Sequence, residues 1–171
     1  MKGKWIMLYD IYETSVAGAL VLAGDGARLQ HLNFVHGRHP VQIRDDWRKD
    51  PAPFAGIKAQ LAEYFAGRRR TFEVDLDPSG TAFQMRVWAA LREIPYGRVV
   101  SYQWVAERIG APNAVRAVGA ANGRNPISII VPCHRVIGKQ GGLTGYGGGL
   151  DLKQRLLQLE NPQASLPFSP M

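Results

Sequence analysis

The sequence has one cysteine, Cys133, among its 171 residues. A single cysteine excludes an internal disulfide and the zinc sites that need several thiolates, and it fits a reducing compartment. The sequence also lacks any apolar run approaching the roughly 18 residues that a membrane-spanning helix needs. Its start, MKGKWIMLYD, has neither the long apolar stretch nor the small-residue cleavage site of a secretory signal. We therefore expect a cytoplasmic protein with no membrane contact.

Acidic residues are scarce in the second half of the chain. Residues 78–171 contain 10 Lys and Arg but only 4 Asp and Glu, whereas residues 1–77 contain 11 and 10. Most of the formal net charge of +7 therefore belongs to the second half. Such a charge favours a polyanionic partner such as nucleic acid. The alternative is a basic surface that only keeps the protein soluble.

The first half has the pattern of a small sheet with one helix. Residues 5–36 contain short runs of Ile, Leu, Val and Tyr separated by glycine-containing turns, which predicts a meander of three antiparallel strands. Residues 37–50 are polar and predict a loop. Apolar residues at spacings of three and four predict an amphipathic helix over 53–67, and residues 68–77 predict a loop and a further strand.

The turn sequence Asp-Pro-Ser-Gly predicts a boundary between a domain of residues 1–77 and a second domain of residues 78–160. The second domain reads as mainly helical. Thr81 and Gln84 have the spacing of a capping box, so they predict the start of a helix that ends near Arg92.

Two short helices joined by Gly-Ala-Pro-Asn follow, as in a helix-turn-helix. Ser101 is predicted to cap the first, which ends at Gly110, and Asn113 to cap the second over 114–123. Ala, Val and Gly fill most of the second helix, and Arg116 is its one charge. Small side chains allow close approach to another surface, which the positive charge suggests is nucleic acid. A helix buried against its neighbours is the alternative.

The remaining segments surround the cysteine. Residues 125–138 predict a buried segment, and residues 139–151, the glycine-rich loop, contain 6 glycines that allow backbone to approach a ligand. Residues 152–160 predict a last helix. Residues 161–171 contain 3 prolines and predict a disordered tail.

Cys133 is followed directly by His134 and Arg135. A buried cysteine is usually only a small apolar side chain, but nearby positive charge lowers the pKa of a thiol and makes it a nucleophile. Side chains alternate along a strand, so contact between His134 and the sulfur requires a turn after Cys133 or a bridging water. A third group should orient the imidazole. Asn125 and Glu160 are both candidates, and their spacing does not distinguish them.

Two segments carry a family resemblance: SYQWVAERIGAPNAVRAVGAANGRNPISIIVPCHRVIG and GGLTGYGGGLDLKQRLLQLE. Asn-Pro lies eight residues before the cysteine of Pro-Cys-His-Arg-Val, and Gly-Tyr-Gly-Gly follows it. These features resemble the O6-alkylguanine-DNA alkyltransferases, also called methylated-DNA–protein-cysteine methyltransferases. The resemblance is dense over residues 81–160 and looser before them. It implies an α+β fold with a ribonuclease H-like N-terminal sheet domain and a winged helix-turn-helix-like C-terminal domain.

The resemblance also implies direct-reversal DNA repair. An O6-alkylguanine, or an O4-alkylthymine, would be flipped out of double-stranded DNA because its alkyl group is out of reach inside the stack. The alkyl group would move to Cys133. The resulting thioether has no good leaving group at neutral pH, so each molecule would act once. No cofactor is needed, since the DNA is the donor, and we expect a monomer that binds the minor groove.

The catalytic roles come from the same resemblance. Cys133 would accept the alkyl group, and His134 would act as a base through a water. Glu160 would hold the tautomer of that histidine, and Asn125 would steady the site. Tyr102 would donate a hydrogen bond to the departing base.

The binding roles are assigned in the same way. Backbone and loop positions would frame the guanine: Val136, Tyr146, Gly147 and Gly148. Arg116 would fill the gap in the base stack, with its helix in the minor groove. Further DNA contacts are expected from the start of that helix and from nearby polar or basic side chains: Ala114, Val115, Gln103, Arg124 and Lys139.

Some relatives hold a structural zinc through N-terminal cysteines and histidines. Here His31, His36 and His39 cluster without a cysteine, so we expect a loop and no metal.

Three other functions compete with this interpretation. A non-enzymatic protein that binds alkylated DNA would lack the cysteine, which this chain keeps. A helix-turn-helix regulator reads the major groove with polar side chains, which the helix 114–123 almost lacks. A cysteine hydrolase would need an oxyanion hole and a way to turn over.

Overall fold

The computed structural model describes residues 5–171. Its first half contains the antiparallel meander that the sequence predicts, formed by β1 (Leu8–Thr14), β2 (Gly18–Gly24) and β3 (Leu29–Phe34). β2 lies between the other two strands, and its residues 20–24 are all buried. The expected sheet of the first half is therefore confirmed.

Two details of the first half differ from the prediction. A short strand β4 (Arg48–Lys49) lies in the segment predicted as a loop and pairs in parallel with β1. The strand predicted within residues 68–77 does not form, and only an isolated bridge joins Leu76 to Leu29. A strand needs a partner along its length, and here the pairing is limited to this one position.

The predicted helix of the first half is present as a 3₁₀ turn (Ala52–Phe54) followed by α1 (Ala55–Phe65). Leu61 and Tyr64 form its buried face. The helix ends before Gly67, whose φ of 73° is in the left-handed region that favours glycine.

The second half begins with α2 (Ala82–Leu91). The backbone N–H of Gln84 donates to Thr81 Oγ1 (3.2 Å), and the Thr81 N–H donates to Gln84 Oε1 (2.9 Å). The predicted capping box is confirmed. The Ser101 cap is also confirmed, because Ser101 Oγ accepts from the N–H of Trp104 (3.1 Å) at the start of α3 (Tyr102–Arg108).

The predicted cap at Asn113 is wrong. α4 (Val115–Gly123) has Ala114 at its N-cap position and no side-chain cap hydrogen bond. The preceding turn instead closes through the backbone, with the Ala114 N–H donating to Ala111 O (2.9 Å). Asn113 is thus one residue too early to accept from the first turn of the helix.

Short strands and a last helix complete the second half. β5 (Val100–Ser101) and β6 (Val136–Ile137) form a parallel pair that the sequence did not predict. α5 (Leu150–Glu160) follows the glycine-rich loop. α1 and α5 have 11 residues each, and no helix between residues 5 and 171 has the length and apolar character to cross a membrane.

Residues 161–171, expected to be a disordered tail, are mostly exposed but are held to the rest of the second half at Phe168 and Met171. Phe168 is buried in a small apolar cluster with Val99, Ile137 and Leu157. Its N–H donates to Gly141 O (3.0 Å), and the N–H of Met171 donates to Val99 O (2.9 Å). The buried side chain of Phe168 anchors the segment, which its proline content alone did not predict.

One continuous core joins the two halves. It contains buried residues from the sheet, from α1 and from the helices of the second half: Leu20, Leu32, Leu61, Tyr64, Val87, Leu91 and Val118. β3 also bonds directly to the segment before the cysteine, through Leu32 N–H to Pro126 O (2.9 Å) and Ser128 N–H to Leu32 O (2.8 Å). The α+β fold is confirmed, while the boundary between residues 77 and 78 stays a prediction.

Candidate active site

The chain turns at the cysteine. Cys133, His134 and Arg135 form a single 3₁₀ turn, which the Arg135 N–H closes onto Pro132 O (3.0 Å). The sequence predicted that contact between His134 and the sulfur needs such a turn or a bridging water. The turn directs the side chains of His134 and Arg135 to Glu160 on α5.

Asn125 fixes the backbone that leads to this turn. Its Nδ2 donates to Val131 O (2.7 Å), and its Oδ1 accepts from the Ile127 N–H (3.0 Å). Between them, buried Ile129 has a φ of 71°, which costs a β-branched residue about 1–3 kcal/mol. The Asn125 hydrogen bonds help to offset that cost and hold Cys133 in place.

Cys133 is only 4% exposed. Burial raises the pKa of its thiol, while a hydrogen bond from Asn125 and the charge of Lys153 act in the opposite direction. Positive charge does lower this pKa, through Lys153, but burial outweighs it, and Arg135 is engaged with Glu160. The resting side chain is therefore a thiol at neutral pH, and it needs a base to become a nucleophile.

His134 is the candidate for that base. It is fully buried, and its Nε2 lies 2.7 Å from Glu160 Oε1. Burial lowers the pKa of His134, although Glu160 opposes this, so the imidazole is neutral near pH 7. A carboxylate only accepts hydrogen bonds, so Nε2 carries the proton and Nδ1 has the free lone pair. Of the two candidates left open by spacing, Glu160 and not Asn125 orients His134.

Glu160 is at the centre of a buried cluster. Its carboxylate accepts from Arg135 Nε (2.8 Å) and Nη2 (2.9 Å), from Tyr64 Oη (2.7 Å) and from the Gly97 N–H (3.3 Å). Burial acts to raise the pKa of Glu160, but His134 and Arg135 outweigh it and hold that pKa well below its usual range. Glu160 is therefore an anion at all ordinary pH values.

Two cavities share part of their lining, and Cys133 lines one of them. The Cys133 cavity has a volume of about 250 Å³ and extends to Asn33 on β3. The Tyr102 cavity has a volume of about 380 Å³ and lies against α4 at Val115. Six residues line both cavities, and they come from the loop after β3, from α4 and from the glycine-rich loop: His39, Asn122, Gly123, Gly145, Tyr146 and Gly147.

Tyr102 is placed to donate into its cavity. The hydroxyl of Thr144 donates to Tyr102 Oη (2.8 Å), which leaves the tyrosine O–H free to donate to another group. The ring lies against α4, where a Cβ at Gly119 would be 3.9 Å from Tyr102 Cδ1. Burial raises the pKa of Tyr102, so its hydroxyl keeps its proton.

Between residues 5 and 171, buried side-chain atoms without a hydrogen-bond partner are concentrated at this site. They are Asn33 Oδ1, Asn122 Oδ1, His134 Nδ1 and Tyr146 Oη. Buried polar atoms of folded proteins are nearly always bonded, so such a cluster points to a binding or catalytic role. Three of these residues line the Cys133 cavity, and the fourth is the neighbour of the cysteine.

Lys153 is a site residue that the sequence reasoning missed. It is fully buried on α5, and its Nζ donates to Val136 O (2.6 Å) and Thr144 O (2.8 Å). Burial lowers its pKa to about 8. These bonds join β6 to the glycine-rich loop. Lys153 stands three and four residues before Leu156 and Leu157, a spacing that marks the buried face of a helix.

Two residues expected to frame the substrate line neither cavity. The carbonyl of Val136 is engaged by Lys153. Gly148 packs so closely that a Cβ there would lie 2.6 Å from Leu152 Cδ2 and 3.0 Å from Phe34 Cε2. Tyr146 and Gly147, by contrast, line both cavities.

The exposed face of α4 consists mainly of small residues. Ala117, Ala120 and Gly123 are exposed, with Arg116 at one end and Arg124 at the other. Ala114 and Val115 are partly exposed at its start. This is a surface that another molecule can approach closely, with a positive charge at each end.

Two other residues expected to contact DNA differ in whether their side chains are free to do so. Lys139 is exposed beyond β6. Gln103 is engaged within the protein, where its Nε2 donates to Glu107 Oε1 (3.1 Å) and Pro112 O (3.2 Å).

The histidines of the first half do not form a metal site in the described structure. Residues 5–171 contain no group of three His, Cys, Asp or Glu side chains placed to hold a metal ion. His31 packs against Trp47, with ring centroids 5.9 Å apart.

Two family models match the chain: "6-O-methylguanine DNA methyltransferase, ribonuclease-like domain" over residues 7–78 and the DNA binding domain of the same name over residues 82–162. The methylated-DNA–protein-cysteine methyltransferase of Methanosarcina acetivorans is 51% identical over 154 residues, covering 90% of this chain and 98% of the relative. That of Mycobacterium tuberculosis is 53% identical over 150 residues, covering 88% and 90%. The crystal structure of Mycobacterium tuberculosis OGT in complex with DNA matches with a TM-score of 0.85 at 50% identity, covering 94% of this chain and 96% of that chain.

Proposed function

The chain belongs to the 6-O-methylguanine DNA methyltransferase family, and we propose that it repairs O6-alkylguanine in double-stranded DNA by moving the alkyl group to Cys133. The DNA-repair methyltransferase activity follows from the family. The identity of the lesion, the acceptor residue and the order of steps are the proposal. The observation that carries it is the arrangement of Cys133 with a neutral His134, which Glu160 orients so that Nδ1 is a free acceptor.

The reaction begins with a proton transfer. His134 Nδ1 takes the proton of the Cys133 thiol through a water, and Glu160 stabilises the imidazolium that forms. Because burial raises the pKa of Cys133, the thiolate forms only when this base is in place.

Alkyl transfer is a displacement at the alkyl carbon. The Cys133 thiolate supplies the electron pair of the new S–C bond, and the electrons of the breaking O6–C bond go to the guanine. Tyr102 donates its O–H to the departing base and stabilises the negative charge, since Thr144 leaves that O–H free. The product is a thioether with no good leaving group at neutral pH, so each molecule acts once and needs no cofactor.

Access to the lesion requires base flipping, because an atom within the stack cannot reach a buried sulfur. The small exposed face of α4 allows that helix to lie in the minor groove. Arg116 then fills the gap in the stack, and Arg124 and Lys139 contact phosphates. The flipped base occupies the Tyr102 cavity, and an O4-alkylthymine presents its alkyl group in the same way. The protein acts as a monomer.

The test of the acceptor is intact mass spectrometry after incubation with an oligonucleotide duplex that contains O6-methylguanine. We expect the protein to gain one methyl group, located on the peptide that contains Cys133, in proportion to the lesion consumed. A matched duplex with unmodified guanine is the control. An unmodified cysteine after the lesion is consumed, or more lesions repaired than protein molecules present, would contradict the proposal.

Replacing Arg116 with alanine tests base flipping. We expect the rate of transfer from duplex O6-methylguanine to fall by about tenfold to 100-fold, because unstacking costs a few kcal/mol that the arginine offsets. The rate with the free base, which needs no flipping, should change little. Arg68→Ala, which removes an exposed charge after α1, controls for lost charge. Equal losses on duplex and free base would remove the stack-filling role of Arg116.

A further inference from the structure

Among the described residues of the first half, one side chain hydrogen-bonds to the buried cluster around Glu160. Tyr64 lies on α1, and its Oη donates to Glu160 Oε1 at 2.7 Å. The side chain is fully buried, and its ring packs against Phe65, Phe72 and Tyr96. Burial, followed by the charge of Glu160, raises the pKa of Tyr64 well above its usual value, so the hydroxyl remains a donor.

Tyr64 shares its acceptor atom with the catalytic base. Glu160 Oε1 accepts from Tyr64 Oη, from His134 Nε2 and from Arg135 Nη2. Hydrogen bonds to a carboxylate stabilise its charge, and donors that share one oxygen atom share that charge between them. The tyrosine hydroxyl therefore weakens the attraction between Glu160 and an imidazolium at His134.

We propose that Tyr64 is a positioning residue for alkyl transfer, which acts through Glu160 to keep His134 in the neutral form that accepts the thiol proton. This rests on the proposed function of Cys133 and His134. Cys133 and His134 both lie in the second half of the chain. Tyr64 would give the first half a role in the reaction as well.

The direction of the effect follows from the groups around His134. Glu160 on α5 favours its protonation, whereas Lys153 on α5 and Arg135 in the turn oppose it. Tyr146 of the glycine-rich loop, with ring centroids 6.5 Å apart, and Cys133 complete its titratable surroundings. Without the Tyr64 hydroxyl, more of the Glu160 charge acts on the imidazole. The pKa of His134 should then rise. At pH values below this higher pKa the imidazole is protonated and cannot act as a base.

The experiment compares Tyr64→Phe with wild type. The substitution removes the hydroxyl and keeps the ring that packs in the core. The matched control is Tyr96→Phe, because the Tyr96 hydroxyl donates to a backbone carbonyl, Leu159 O (3.4 Å). Single-turnover transfer from an O6-methylguanine duplex is measured as a function of pH for all three proteins.

We expect the acidic limb of the Tyr64→Phe profile to move up by about one pH unit, with rates that approach wild type at alkaline pH. Tyr96→Phe should keep the wild-type limb. A merely structural role of Tyr64 would lower the rate equally at every pH. The proposal is overturned if the acidic limb of the Tyr64→Phe profile coincides with that of wild type, or if the rate falls by the same factor at every pH. Absence of transfer to Cys133 in wild type would instead refute the proposed function.

A second variant keeps the test decisive if the phenylalanine variant folds poorly. Site-specific 3-fluorotyrosine at position 64 keeps the hydroxyl and makes it a stronger donor, so the acidic limb should move to lower pH. The ¹⁵N chemical shifts of the His134 ring, followed against pH, report the same protonation without any substrate. A limb and shifts that match wild type would contradict the role of Tyr64.

Discussion

Replacing Cys133 with alanine is expected to abolish alkyl transfer and to leave binding to alkylated duplex DNA close to that of wild type. The sulfur is the single thiol in the chain. The other polar groups at the site are poor substitutes. Burial raises the pKa of Tyr146 well above its usual value, and Lys153 Nζ already donates to two carbonyls. The proposed DNA-binding face on α4 does not include the cysteine.

The measurement is the mass of the intact variant after long incubation with the lesion duplex, together with a binding titration. Cys133→Ser is the matched control, because it keeps a similar shape with a much weaker nucleophile and should transfer far more slowly than wild type. Any methyl group on the alanine variant would mean that another residue accepts it. A loss of binding would mean that the cysteine turn shapes the DNA surface.

Replacing Glu160 with glutamine is expected to impair both stability and chemistry. The substitution removes a buried charge that pairs with Arg135, and breaking such a pair destabilises by about 3 kcal/mol. That corresponds to a decrease of about 6–12 °C in melting temperature for a chain of this size. The rate of transfer should fall at least about 100-fold, because an amide N–H can donate to His134 Nε2 and favour the tautomer whose Nδ1 is no longer an acceptor.

Urea unfolding and single-turnover transfer check these two effects. Glu93→Gln is the control, since the Glu93–Arg108 pair is exposed and should contribute about 1 kcal/mol at most. The pKa of Glu160 is lowered in the folded state, so its contribution is present above its ordinary value of 4.5 and is lost as the pH falls below it. The stability difference between wild type and Glu160→Gln should therefore narrow in acid. A difference that is independent of pH would argue against the ion pair.

Local signals in the sequence predicted much of the fold. The capping box at Thr81 and the cap at Ser101 are complete within four residues, and both are present in the structure. The β1–β2–β3 meander was likewise predicted from its short apolar runs. The strands β4, β5 and β6 have two residues each and exist only through pairing with distant segments. No local pattern could indicate them.

The sequence predicted some residues of the site and not others, again because contacts between distant segments leave no local pattern. The motif around Cys133 indicated a nucleophile with His134, but spacing could not choose Glu160, which lies 26 residues from its partner. Tyr64 looked like an ordinary core residue of an amphipathic helix, because its hydroxyl contact is 96 residues away. Asn122 lies in a helix notable for small residues, and its place on the cavity wall appears only when α4 packs.

The composition of the α4 surface has a consequence for how damage is located. Ala117, Ala120 and Gly123 offer no side-chain donor or acceptor with which to distinguish one base pair from another. If α4 is the DNA-binding face, as proposed, affinity must come from contacts of basic side chains with phosphates, and phosphates are the same at every position along a genome. Binding would then not depend on the surrounding base sequence. A lesion would be recognised by whether its base fits the cavity.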